Sequence, residues 1–229
     1  MKTIGVLGGI GPQATLDFEA RIHIVSQRLI PQRWGSGYPP MLVYYFRHAP
    51  VVLGDDFRPV YPVQPDPRLL DAAKRLGGWV DFLVITANAP HMFHEQIERA
   101  AGRPLLSMIQ VTLEEVKRRE WKKVGVLGLG EPLVYQVPLG QLGLACETIA
   151  GDLRDQLDQA IGALDEGRAG PGARMVAREA VSALRGRQVD GIILGCTEIP
   201  LLLNQELDDP FLINPIQLLA EAAVRRAMD

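Results

Sequence analysis

The chain has little of what would mark a disulfide scaffold, a nucleic-acid binder or a membrane protein. Its 229 residues include two cysteines, Cys146 and Cys196, too few for a disulfide framework. The net charge is −3, so the basic excess of a nucleic-acid surface is missing. No apolar run approaches the ~18 residues of a membrane helix, and the first one meets glycine too early for a signal peptide. We therefore expect a cytoplasmic protein that binds neither nucleic acid nor membrane.

The histidines do not form a metal-binding pattern. His91 and His94 are three residues apart and could share a helix face, but neither has a cysteine at a zinc-like spacing. We predict no metal site.

The chain does contain two pairs of matching segments. Residues 2–12 read KTIGVLGGIGP and residues 122–132 read KKVGVLGLGEP, while residues 80–90 read VDFLVITANAP and residues 189–200 read VDGIILGCTEIP. Each is a short apolar run that ends in a turn of small residues, typical of a buried strand leading into a helix. Buried parallel strands resemble one another, which would explain one pair. Two pairs in the same order favour duplicated halves.

Strand-like runs alternate with helical ones, which predicts an α/β fold. We expect two pseudo-symmetric parallel-sheet halves, residues 1–110 and 111–210, with the site in the interdomain cleft where strand ends face each other. A C-terminal strand and helix, residues 211–229, are expected to return to the first half. The proline-rich stretch Pro31–Pro67 is predicted to be a long loop with one strand inside, covering the mouth of the cleft.

In the second half the late strand ends in Gly195-Cys196-Thr197-Glu198. Cys196 would lie beside the next helix N-terminus, whose N–H groups and dipole stabilise a thiolate. The Thr197 hydroxyl and nearby amides suit a substrate carboxylate. A small buried cysteine is an equally good interpretation of Cys196. Cys146, within an apolar run, is predicted to be a core residue.

In the first half the equivalent turn runs from Thr86 to His91. The alignment of the repeats places Ala87 opposite Cys196 and Asn88 opposite Thr197. Asn88 is predicted to be an N-cap or a ligand donor, and His91 to face the cleft or to pack beside it. The earlier turn at Gly8-Gly9-Ile10-Gly11 lets backbone approach a ligand, but it lacks the full dinucleotide-binding pattern.

At this point the residues resemble a known family, the aspartate/glutamate racemase superfamily and its aspartate racemases in particular. The resemblance covers essentially the whole chain. Its motifs are the opening run Leu7–Thr15, the first catalytic motif at Thr86–His91, a segment with a basic residue at Glu166–Gly170, the second catalytic motif at Gly195–Pro200, and Ile213–Pro215.

The resemblance implies racemisation without pyridoxal phosphate or any other cofactor, in a homodimer, by two cysteines on opposite faces of the substrate. It makes Cys196 the acid/base, Asn88 and Thr197 the α-carboxylate ligands, and Arg168 and Arg47 the partners of a side-chain carboxylate. The whole set of implied substrate-binding residues is Gly9, Ile10, Arg47, Asn88, Ala89, Arg168, Thr197 and Glu198, with Thr86, Ala87 and His91 also in the cleft.

The chain departs from the family pattern where the first cysteine belongs. That position is Ala87, and the following threonine of the motif is Ala89. A methyl group cannot move protons, and Thr86 and His91 are the nearest candidates to replace the thiol. The double change favours natural divergence over a single knockout substitution.

The sequence is compatible with three functions. The first is a racemase-like protein that transfers a proton at Cα of an acidic amino acid through Cys196, impaired or divergent because of Ala87. The second is a single-cysteine lyase acting on a malonate-like acid, as in arylmalonate decarboxylases, which keep only the second-half cysteine. The third is a non-catalytic dicarboxylate-binding protein.

Overall fold

The computed structural model describes residues 1–55, 59–204 and 209–229. The chain divides into two compact units, the first formed by residues 1–108 and 216–229 and the second by residues 109–215. Each unit contains a parallel sheet with helices against it. The predicted α/β fold of two parallel-sheet halves is confirmed.

The sheet of the first unit has the strand order β2-β1-β3. Its strands are β1 (Ile4–Gly8), β2 (Met41–Tyr45) and β3 (Phe82–Ile85). The central strand β1 and its neighbour β3 are buried along their whole length. Near-continuous apolar runs such as these form parallel strands because helices cover both faces of the sheet.

The helices of the first unit lie in two layers. They are α1 (Pro12–Leu29), α2 (Pro67–Gly77), α3 (His94–Ala101), which a 3₁₀ turn (Ala89–Phe93) precedes, and the C-terminal α9 (Pro215–Met228). Ile4, Val6 and Val84 pack with residues of α1 and α9 in one core cluster. Leu83 and Ile85 pack with residues of α2 and α3 in another. Alternate strand residues therefore supply the two cores.

The sheet of the second unit has the strand order β5-β4-β6-β7. Its strands are β4 (Lys123–Leu127), β5 (Ala145–Thr148), β6 (Gly191–Leu194) and β7 (Leu212–Ile213). The helices of this unit are α4 (Met108–Arg118), α5 (Leu133–Gln141), α6 (Asp152–Asp165), α7 (Pro171–Arg185) and α8 (Ile199–Leu203). Leu127, Ile192 and Leu194 pack with residues of α6, α7 and α8 in one core cluster.

The two sheets repeat the same strand order, with β1 and β4 in equivalent central places. Beyond β3, Leu105 forms a single parallel bridge to Leu83, where the second sheet has the strand β7 beside β6. The segment 211–229, which the sequence predicts to return to the first half, does so only in part. Its strand β7 pairs with β6 of the second unit, and its helix α9 belongs to the first.

The stretch Pro31–Pro67 contains β2 and, after it, two isolated antiparallel bridges. These join Val51 to Pro65 and Leu53 to Pro59. No helix within the described ranges is both long and apolar enough to cross a bilayer.

Candidate active site

The turn after β6 carries the thiol. The Gly195 N–H donates to the Leu127 carbonyl at 2.6 Å, so the turn lies against the end of β4. A Cβ at Gly195 would come within 2.9 Å of that carbonyl oxygen, which is too close for any other residue. The chain then passes Cys196 and enters α8, with the Ile199 N–H donating to the Cys196 carbonyl. Local backbone packing thus fixes the thiol at the carboxyl end of the sheet.

A buried carboxylate is the immediate neighbour of that thiol. The Cys196 thiol donates to Glu198 Oε2 at 3.0 Å, and the Thr197 hydroxyl donates to the same oxygen at 3.0 Å. Thr197 and Glu198 are both buried. No lysine, arginine or histidine of the described chain forms an ion pair with Glu198. The cluster therefore carries a buried negative charge held by two neutral donors.

The surroundings of Cys196 oppose the predicted stabilisation of a thiolate. Burial, then the Glu198 carboxylate and its hydrogen bond, raise the pKa of Cys196 well above the ordinary value of a thiol. The helix that follows has five residues, from Ile199 to Leu203, so its dipole is small beside a full negative charge in contact with sulfur. Cys196 is accordingly a neutral thiol at pH 7.

Asp165, at the end of α6, is a further member of the cluster that sequence analysis missed. Burial of its carboxyl and the nearby Glu198 charge raise the pKa of Asp165 to about 6, although the residue as a whole is exposed. Its charge also contributes to the raised pKa of Cys196. Nothing in the sequence around α6 indicates this proximity, because tertiary packing brings α6 to the turn.

In the first unit two threonines tie the turn after β3 to the turn after β1. The hydroxyls of Thr15 and Thr86 are 2.8 Å apart, and the Thr15 hydroxyl also accepts from the Gly9 N–H at 2.8 Å. Because Thr15 directs its own hydrogen to the Gly11 carbonyl, Thr86 is the donor of the pair. The Thr86 hydrogen is committed, so this residue is poorly suited to replace a thiol as acid or base.

The rest of that turn is closely packed. Ala87, Asn88 and His91 are each less than 10% exposed. His91 lies in the 3₁₀ turn, before α3, and burial together with His94 lowers its pKa to about 3 against a small opposing contribution from the Ile85 backbone. A histidine with this pKa stays neutral across the working pH range, so it cannot serve as a cationic substrate ligand.

Gly9, Ile10 and Arg47 line one pocket within the first unit, with a volume of about 400 Å³. Gly9 has φ +78°, and a Cβ there would come within 2.7 Å of the Tyr45 Cα, so the close backbone approach requires glycine. The Arg47 guanidinium stacks 4.9 Å from the centre of the Tyr45 ring. The structure therefore brings together three of the residues predicted for substrate binding, and adds His48, which sequence analysis missed.

Two other residues have surroundings that the sequence does not indicate. Arg168 is exposed in the turn between α6 and α7, where its guanidinium pairs with Glu166. Cys146, predicted as core, is only partly buried on the edge strand β5, and burial and Glu147 raise its pKa to about 11. Of the two cysteines, both among the described residues, only Cys196 lies in a strand-end turn, where its thiol contacts a carboxylate.

The sequence profile of the Asp/Glu/hydantoin racemase family matches residues 7–223. The chain belongs to this family.

Three known proteins show how far the likeness to this racemase family extends. The chain is 30% identical over 132 residues to the broad specificity amino-acid racemase RacX of Bacillus subtilis, a match that covers 57% of this chain and 56% of that protein. The structure superposes on Picrophilus torridus aspartate racemase with a TM-score of 0.78 at 19% identity, covering 100% of this chain and 95% of that one. An aspartate racemase homologue from Pyrococcus horikoshii gives a TM-score of 0.74 at 22% identity, covering both chains fully. At these identities the two structures show a shared fold.

Proposed function

We propose that the protein transfers a proton at Cα of an acidic amino acid, without a cofactor, and that Cys196 is the only group that does so. The contact between the Cys196 thiol and the buried Glu198 carboxylate carries this proposal. Membership of a racemase family supplies the reaction class. Ala87, which the motif resemblance sets at the place of the first cysteine, supplies no proton carrier for the opposite face.

The charge around Cys196 favours an amino acid over a plain diacid. Glu198 is 5% exposed and has no cationic partner within the described residues, and the Asp165 carboxyl lies near it. A buried carboxylate without a counter-ion is costly, and an ammonium group of a ligand would offset that cost. A second carboxylate at the same place would be repelled. We therefore assign the α-ammonium group of the substrate to Glu198 and Asp165.

Ammonium binding would also lower the pKa of the Cys196 thiol. Burial of the thiol, and after it the negative charge of Glu198, raise the pKa of Cys196 and hold its proton. When an α-ammonium group neutralises that charge, the pKa of Cys196 falls and a thiolate becomes accessible. The thiolate then takes the Cα proton, and the bonding electrons move into the α-carboxylate as an enediolate. The same sulfur returns a proton to the same face of the carbon.

The two carboxylates of the substrate need separate partners. We propose that Asn88 and Thr197, with the backbone near Ala89, bind the α-carboxylate. Arg47 faces the pocket with Gly9 and Ile10, and a guanidinium is well matched to a distal carboxylate. Arg168 would join the site only if it released Glu166.

Incubation with L- and D-aspartate in heavy water, followed by proton NMR of the Cα–H signal, tests this function. One enantiomer should lose its Cα–H signal at a rate well above its inversion rate, since a single sulfur returns deuterium to the face from which it removed the proton. Cys196→Ser should abolish the exchange, and Cys146→Ser, its matched control, should leave it unchanged. Equal exchange in the Cys196→Ser variant would refute the proposal.

One observation favours a second candidate, a lyase acting on a malonate-like acid. Cys196 is a neutral thiol in the free protein, which suits a donor that protonates a carbanion after carbon dioxide has left. This chemistry needs one proton donor and no base at Ala87. Carbon dioxide release from phenylmalonate that depends on Cys196, without Cα exchange of aspartate, would replace the first candidate by this one.

A further inference from the structure

A chain of three side chains leads from α2 to the pocket that contains Arg47. Arg68 Nη1 lies 3.0 Å from His48 Nδ1, and His48 lines the pocket together with Arg47. A guanidinium has donors and no acceptor, so His48 Nδ1 must be the unprotonated nitrogen of the ring. The ring proton is therefore on Nε2, and this N–H is the donor that His48 can offer to a ligand.

Arg68 is itself fixed by a buried carboxylate. Its Nε and Nη2 donate to the two oxygens of Asp66, at 2.9 and 2.6 Å. Asp66 is 5% exposed and also accepts from the Arg68 backbone N–H, as the N-cap of α2. A bidentate pair of this kind sets the plane of the guanidinium. With Nε and Nη2 occupied, Nη1 is left for His48.

The residues that line the pocket include a cation and no acidic side chain. Its lining consists of Gly9, Ile10, Pro12, Arg47, His48, Ala49 and Pro50. None of these is acidic, and Arg47 forms no ion pair within the residues that the structure describes. The ring of His48 meets Phe46 edge-on at 5.4 Å, which restrains it further. A cation and an imidazole N–H donor in one concavity are suited to an anion.

We propose that His48 Nε2–H, with Arg47, binds the distal carboxylate of the substrate, and that Arg68, held by Asp66, is a positioning residue that acts through His48. This inference rests on the proposed function for the identity of the substrate as an acidic amino acid. It adds the group that separates aspartate from amino acids without a second carboxylate.

Binding of L-aspartate and L-alanine to the full-length protein, measured by calorimetry or ligand NMR, tests the assignment. The two ligands differ in the distal carboxylate, so the ratio of their dissociation constants isolates its contribution. His48→Phe should reduce the preference for aspartate roughly tenfold, as expected for one hydrogen bond to a charged group. His48→Gln, whose amide N–H can replace Nε2–H, should retain most of it.

A double-mutant cycle then separates positioning from general damage. Arg68→Met should reduce the aspartate preference in the wild-type background and have little further effect in the His48→Phe background, because Arg68 acts through His48. Arg75→Met is the matched control, since Arg75 is exposed on the same helix and pairs with Asp71. Arg75→Met should leave the aspartate preference unchanged.

Equal preference for aspartate in wild type and His48→Phe, no preference in wild type, or additive effects of the Arg68 and His48 changes would each overturn the inference. These outcomes are distinguishable from failure of the proposed function. Loss of the aspartate preference in His48→Phe, with no Cα exchange in any variant, would uphold the subsite and refute the proton transfer. Cα exchange that persists, with the same aspartate preference in His48→Phe as in wild type, would uphold the proton transfer and refute the subsite.

Discussion

The threonine pair that joins the two turns of the first unit predicts unequal costs for the same chemical change. Thr15 and Thr86 are both buried, and Thr→Val removes a hydroxyl at nearly constant volume in each case. In Thr86→Val, Thr15 loses a donor but still accepts from the Gly9 N–H and donates to the Gly11 carbonyl. The loss is one net hydrogen bond, about 1 kcal/mol.

In Thr15→Val, two buried donors lose their acceptor at once, the Gly9 N–H and the Thr86 hydroxyl. An orphaned buried donor costs about 1–3 kcal/mol, so the two together should cost about 2–6 kcal/mol. For a chain of this length, each kcal/mol lowers the Tm by about 2–4 °C. Thr15→Val should therefore lower the Tm by roughly 4–24 °C and Thr86→Val by roughly 2–4 °C.

Urea denaturation followed by circular dichroism measures both free energies of unfolding. The double variant should cost no more than Thr15→Val alone, since removal of the Thr86 hydroxyl removes one orphan. Thr148→Val, on the edge strand β5, is the control and should stay within about 0.5 kcal/mol of wild type. Equal costs for the two single variants would refute the hydrogen-bond directions assigned to this pair.

Four further outcomes are expected. Ala87→Cys should add inversion of aspartate to exchange, detectable by chiral chromatography, and unchanged stereochemistry would contradict the role given to that position. Glu198→Gln should make Cys196 react faster with iodoacetamide at pH 7, because it removes the charge that raises the pKa of the thiol, whereas Cys146 should keep its rate. The free energy of unfolding should fall as the pH drops from about 6.5 to 3, because His91 binds a proton in the unfolded state but stays neutral when buried in the folded state. With its folded-state pKa at about 3, the total loss amounts to roughly 4 kcal/mol. His91→Asn should remove about that share of the pH dependence in urea titrations, and an unaltered pH dependence would contradict the assignment.

Most strands of the two sheets are predictable because their signal is local. Met41–Tyr45, Phe82–Ile85, Lys123–Leu127 and Gly191–Leu194 are runs of apolar and β-branched residues bounded by turns, and the structure has strands with these bounds. A helix after Cys196 is expected from the strand-turn pattern, but its length of five residues is too short for a helical period to predict.

The candidate site is predictable in its residues and not in its electrostatics. Cys196 and Glu198 are two positions apart in a recognisable motif, but only the folded turn shows that the carboxylate contacts the sulfur and keeps its proton in place. Thr15 and Thr86 are 71 positions apart, and their contact depends on the pairing of β1 with β3. A pattern of residue types carries no information on such distances.

An exchange of the two strand-end residues tests the central claim most directly. The double variant Ala87→Cys with Cys196→Ala moves the thiol from the turn after β6 to the turn after β3 in the first unit. If one thiol per face moves the Cα proton, wild type should exchange deuterium into one enantiomer of aspartate and the double variant into the other. Exchange of the same enantiomer in both proteins would contradict the account.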